Sequence, residues 1–153
     1  MKKILLTFAL MSLLALDVNA QQYEVKVVTS VESIVPNGLG RSRLISANVE
    51  RDFNEFTSTQ TEDDNSRNKS KRKNIRVKDF DETKLLNFYN LGGIRFQNIA
   101  SNDAVIESKI NAMLADGWDL AFVASAVESD AGGEDGQGIF ITRYIFKRLK
   151  TEE

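Results

Sequence analysis

The sequence predicts an α+β fold: a small, mainly antiparallel sheet with one main helix packed on one face. Three observations predict it. Apolar residues recur at helical spacing from Val105 to Leu114, stop at Gly117, and give way at the single tryptophan to a two-residue alternation. An alternating stretch from Tyr23 to Val31 reads as a strand. A run rich in aromatic and β-branched residues, Ile139 to Arg148, reads as another. The resulting core is β-α-β-β, with an inserted hairpin strand and a short helix between the first strand and the main helix.

The first residues have the pattern of an export signal. Lys2 and Lys3 give a basic start, and Ile4 to Leu16 form an apolar run too short to span a bilayer comfortably. Val18, Asn19 and Ala20 then offer a cleavage site before Gln21. Residues 1–20 are therefore expected to act as a signal peptide. Residues 21–153 are expected to form a single domain in a bacterial periplasm or outside the cell. No cysteine follows the cleavage point, which speaks against lipid anchoring.

In the first strand Tyr23, Val25, Val27, Thr29 and Val31 share one face. Glu24, Lys26, Ser30 and Glu32 share the other, with Val28 as the exception. This is the pattern of an antiparallel sheet with one covered and one wetter face. Pro36 to Gly40 mark a turn, and Arg41 to Ser46 return as the second strand of a hairpin. From Phe53 to Lys78 the apolar periodicity vanishes, which predicts a disordered polar insert. Asp81 to Leu91 has the apolar spacing of a short helix capped by Asp81 and ended by Gly92 and Gly93. Ile94, Phe96 and Ile99 then lead, as an extended piece, into the main helix.

For that helix Ser101, Asn102 and Asp103 offer an N-cap and a negative first turn. Ile106, Ile110, Met113 and Leu114 give the apolar face, and Gly117 the left-handed residue that ends it. Trp118, Leu120, Phe122, Ala124 and Ala126 then alternate along one face of a strand, with Trp118 as a structural core anchor at the corner. Residues 129–138 form an acidic hairpin loop. Its Asp130, Glu134 and Asp135 do not have the alternate spacing of a calcium loop, so no metal is expected. In the last strand Phe140, Tyr144 and Phe146 lie on one face and Ile139, Ile141 and Ile145 on the other. A strand with apolar groups on both faces is predicted to be central.

The chain contains neither cysteine nor histidine. That removes disulfides, thiol and serine–histidine nucleophiles, and the usual ligands of zinc, haem and iron–sulfur clusters, so no cofactor is implied. Carboxylate pairs and Ser–Lys arrangements remain as catalytic options, but no spacing forces one together. The net charge of −2 predicts neither a nucleic-acid nor an acidic-surface partner.

Two polar clusters stand out. Gly38, Gly40, Arg41, Ser42 and Arg43 combine a flexible backbone with two arginines at alternate positions, a candidate anion-binding site without the phosphate-loop pattern. Lys69, Lys71, Arg72, Lys73 and Arg76 form a basic patch in the polar insert, a candidate partner-binding surface for an anionic ligand or an envelope protein. No aromatic lies between Thr57 and Val77, which argues against nucleic acid held by base stacking.

Three segments together carry a family resemblance: Tyr23 to Val28, then Ile110 to Leu120 with its Gly117-Trp118-Asp119-Leu120 corner, then Ile145 to Arg148. In these the chain resembles the domain-of-unknown-function family 4177, whose members run as a strand, a helix ending in Gly-Trp-Glu-Leu and a hairpin ending in Phe-Lys-Arg. It differs in having Asp119 in place of Glu and a long insert from about Glu32 to Ala100. The resemblance implies the β-α-β-β core, and a right-handed helix crossover is then expected to put the first strand beside the last. The resemblance implies no activity.

The reading that follows is an exported, non-catalytic binding or interaction module of the bacterial cell envelope. A self-associating envelope component, hence a homo-oligomer, is the second reading. An enzyme using carboxylates or Ser–Lys is the third.

Overall fold

A computed structural model describes residues 22–33, 42–90, 92–128 and 138–150. Its first hairpin pairs β1 (Tyr23–Ser33) with β2 (Arg43–Ala47), Val28 opposite Ser46 and Val31 opposite Arg43. A 3-10 turn (Phe53–Phe56) and a single helical turn, α1 (Arg72–Ile75), interrupt the polar stretch that follows. The chain then re-enters the sheet as β3 (Phe80–Lys84), makes a small hairpin from β4 (Tyr89–Asn90) and β5 (Gly93–Ile94), and enters the long helix α2 (Phe96–Ala115). Strands β6 (Asp119–Glu128) and β7 (Ile139–Leu149) complete the fold.

Five strands form one antiparallel sheet in the order β3-β2-β1-β7-β6. The first strand lies beside the last, and β7 is central. Helix α2 packs on one face. Its Ile106 and Met113 meet Val28, Leu44, Phe146, Leu85 and Trp118 in one core, with Val105, Ile110 and Tyr144 packed around it. Phe146 is fully buried.

The end of α2 follows from its sequence. Gly117 has φ +80, and its N–H bonds the Leu114 carbonyl while the Trp118 N–H bonds that of Met113, both at 3.0 Å. This paired closure satisfies two orphan carbonyls at the helix end.

Four local expectations are corrected. Residues 80–84 are a strand, not the start of a short helix. The free side of β2 needs a partner for its main-chain groups, and Phe80–Lys84 supplies it, Ile45 facing Glu82 and Arg43 facing Lys84. Asp81, Glu82 and Lys84 suit the sheet edge that results. Next, α2 begins at Phe96, with Arg95 at its N-cap and no side-chain cap. Ser101 and Asn102 therefore lie inside the helix, and the Ser101 hydroxyl donates back to the Gln97 carbonyl at 2.7 Å.

Then, the register of β6 slips at Ala121: Leu120 faces Phe146, but Phe122 faces Ile145. A bulge of this kind reverses the faces beyond it, so Leu120 and Phe122 lie on opposite sides. Finally, the covered face of β1 is the more polar one. Val28 and Ser30 are buried beneath the helix, while Val25 is 62% exposed and Val27 42%.

Candidate functional site

The face of the sheet opposite α2 exposes apolar side chains among the described residues. Strand alternation puts Val25, Val27 and Val31 of β1, Ile141 and Ile145 of β7, and Phe122 of β6 on it. Phe122 is 62% exposed. One charged residue, Arg143, stands amid these apolar groups. It faces Thr29 on one side and Ala124 on the other, is exposed, and makes no ion pair or hydrogen bond among the described residues. Two other cations of this face are engaged, while Lys84 stands exposed at the β3 edge opposite Arg43. Arg43 Nε donates to Glu82 Oε1 at 2.7 Å, and Lys147 Nζ sits 5.0 Å from the centre of the Tyr23 ring. The face thus offers an apolar field with one unneutralised guanidinium.

The helix-covered side holds a polar seam. Asn102, almost fully buried, uses its whole amide: Oδ1 accepts from the Leu86 N–H, and Nδ2 donates to the Leu86 carbonyl and to Glu32 Oε1, each at 2.8 Å. Burial pushes the Glu32 carboxyl above its ordinary value; the Asn102 bond works against that, and the Asp103 charge adds to it. Burial likewise raises the Tyr144 phenol, which the neighbouring Ser30 hydroxyl partly offsets and the Glu32 and Asp103 charges reinforce. The Ser30 and Ser46 hydroxyls are buried without a hydrogen-bond partner of good geometry among the described residues. Nothing in the seam pairs a hydroxyl with a base. The Ser42 hydroxyl donates to the amide oxygen of Asn87 at 2.7 Å, and a phenol pushed upward is a poorer nucleophile.

The sequence-predicted residues fall in several places. Gly38, Gly40 and Arg41 lie outside the described residues. Ser42 is buried, and its oxygen accepts from the Ser33 N–H at 2.9 Å. Arg43, besides its bond to Glu82, donates to the Ser42 carbonyl at 2.7 Å. In the described part of the anion-binding candidate the polar groups are therefore engaged within the fold.

Lys69, Lys71, Arg72, Lys73 and Arg76 are all exposed, on and around α1. The stretch from Phe53 to Lys78 holds hydrogen bonds of its own, including Asn68 Nδ2 to the carbonyls of Glu55 and Thr57, both 3.1 Å. Trp118 is buried at the helix–strand corner, with the Arg148 guanidinium 4.3 Å from its ring centre and ion-paired to Glu24. The acidic loop residues Asp130, Glu134 and Asp135 lie outside the described residues. Among the described residues no three carboxylates converge on a common point where a metal could sit, and no helix is long and apolar enough to cross a membrane.

The open face and Asn102 were not singled out from sequence. The face has a signal in hindsight: three valines at alternate positions beside the isoleucines of β7. The role of Asn102 has none, because its partners are remote in the chain. No protein-family model, no curated protein and no solved structure matches this chain.

Proposed function

We propose that the protein is a non-catalytic interaction module of the bacterial cell envelope that docks a partner on the open face of its sheet. The observation that carries this is the exposed apolar field of Val25, Val27 and Phe122 around Arg143, which is unpaired among the described residues. Contiguous exposed apolar surface is a feature of binding sites. Its chemistry selects an apolar partner surface bearing one anionic group placed for Arg143. The export signal read from residues 1–20 puts that partner in the periplasm or beyond it. The resemblance to family 4177 is part of the same reading and adds no activity.

The test is crosslinking capture from the native envelope with three tagged proteins: wild type, Val25→Lys and Arg143→Glu. A partner recovered with wild type and lost with both variants, at unchanged thermal stability, is the expected result. Retention by both variants refutes docking on this face. Loss on deleting residues 57–78 instead would move the site to the basic patch of Lys69 to Arg76.

A further inference from the structure

The two edges of the sheet are built in opposite ways. At one edge β3 carries Asp81, Glu82 and Lys84 among its five residues. Charges of this kind keep a strand edge from pairing with another chain. At the other edge β6 has no charged residue and no proline from Leu120 to Val127. Among the described residues nothing pairs with its outer side. Apolar groups stand exposed on both of its faces: Leu120 and Val123 toward the helix side, Phe122 toward the open face. The one polar side chain in the run, Ser125, is already engaged, its hydroxyl 2.8 Å from that of Thr142. The bulge at Ala121 bends one end of the strand and leaves a straight pairing length from Phe122 to Glu128.

We infer that β6 is the seam of a homodimer, in which two copies pair their β6 strands antiparallel across a two-fold axis and join their sheets edge to edge. The second copy is the occupant because the strand is complementary to itself. A two-fold relating antiparallel neighbours stands perpendicular to the sheet, so a residue near mid-strand must face its own copy. With the axis at Val123, Phe122 faces Ala124 of the other copy, large against small. With the axis at Ala124, Phe122 faces Ala126. In both registers the acidic ends, Asp119 and Glu128, are kept out of direct opposition. The exposed Leu114 at the end of α2, 48% accessible, adds apolar surface close to Trp118 and the start of β6. The inference stands on the strand edge and so goes beyond docking on the open face. Its consequence for that face is geometric: joined at β6, the two open faces become one continuous platform.

Sedimentation equilibrium and single-cysteine crosslinking test it. The chain has no cysteine of its own. A residue facing its own copy has a Cα separation of about 4.5–5.5 Å, inside disulfide range. The expected result is a wild-type dimer, weakened at least about tenfold by Val123→Lys and unaffected by Val25→Lys. Mild oxidation should then give a disulfide dimer from either Val123→Cys or Ala124→Cys, depending on the register. A wild-type protein that stays monomeric at about 100 µM, well above the micromolar range of specific pairs, overturns the seam. So does a dimer that Val25→Lys breaks and Val123→Lys leaves intact, or the failure of both cysteine variants to crosslink. Because Val25→Lys is expected to lose the envelope partner and keep the dimer, failure of the seam and failure of the docking reading give different results.

Discussion

Removing the amide of Asn102 is predicted to be among the most damaging single changes outside the apolar core. The residue is almost fully buried and makes three hydrogen bonds, two to the Leu86 backbone and one to Glu32. A neutral bond contributes about 1 kcal/mol net and one to a charged group about 1.5–3 kcal/mol, so Asn102→Ala forfeits about 3.5–5 kcal/mol in gross terms. Two effects reduce this. Leu86 is 40% exposed and Glu32 is only half-buried, so water reaches part of what is abandoned. Alanine also returns about 0.6 kcal/mol of helix propensity. The expected net loss is about 2–3 kcal/mol, a fall of about 1–2 M in the urea midpoint for a domain of this size. Fluorescence of Trp118, the only tryptophan, follows the transition. Asn102→Asp keeps one acceptor but sets a second carboxylate against Glu32. It should be the worse variant at pH 7 and recover on acidification. A midpoint for Asn102→Ala within about 0.5 kcal/mol of wild type, the range of an ordinary surface change, would refute the bridge.

Other consequences follow from single sites. Because the folded-state pKa of Glu32 is raised above 4.5, the folded protein holds that proton more tightly than the unfolded chain. Its contribution is therefore fully present below the unfolded pKa and lost as pH rises through the folded one. Glu32→Gln, which still accepts from Asn102, should be more stable than wild type at pH 7 and have a flatter stability–pH curve above pH 4.5, read by denaturation across pH. Gly117→Ala meets no atom within 4 Å, so its cost is the left-handed backbone alone, about 1 kcal/mol by urea denaturation, and Gly117→Asn should cost less. A double-mutant cycle on Arg43 and Glu82, whose side chains are 27% and 50% exposed, should return a coupling of only about 0.2–1 kcal/mol. Val28→Thr puts an extra hydroxyl into the core and should cost about 1–3 kcal/mol, whereas Val25→Thr should change stability by less than about 0.5 kcal/mol. Denaturation of the two variants checks which face of β1 the helix covers.

The parts of the fold set by neighbours in the chain were legible in the sequence. The body of α2 shows in the spacing of Ile106 and Met113, and its end in Gly117, because a positive φ favours glycine whatever surrounds it. The order of β1, β7 and β6 followed from the handedness of the helix crossover, and the apolar residues on both faces of the last strand made it central. What failed depends on contacts remote in sequence. Ser101, Asn102 and Asp103 look like a cap to any local reading, yet Asn102 is set by Leu86, 16 residues away, and by Glu32, 70 away. Leu85, Leu86, Phe88 and Tyr89 imitate a helical stripe, but the unpaired side of β2 draws residues 80–84 into a ladder and Leu85 into the core. The partners of Ser42 and Arg43 are equally remote, Asn87 lying 45 and Glu82 39 residues away.

The orientation of β1 ties the fold to the proposed function. A one-residue slip of a strand exchanges its faces. Slipped, β1 would put Val25, Val27 and Val31 under the helix and Lys26, Ser30 and Glu32 in water, which for an isolated monomer is the better distribution of apolar surface. Instead eleven consecutive pairings with β7 hold the valines outward. The buried polar face is made tolerable by particular contacts: Asn102 for Glu32, and Val28 packed with Leu44 and Phe146. Glu24 is held at the same time in its ion pair beside the Trp118 corner. A fold that buries serines and half-buries a glutamate while leaving two valines and a phenylalanine exposed is stabilised further when another surface covers them. That asymmetry, more than any single exposed residue, is the physical argument for a partner on the open face. It also fits the position of Arg143, a charge amid these apolar groups with no counterpart among the described residues.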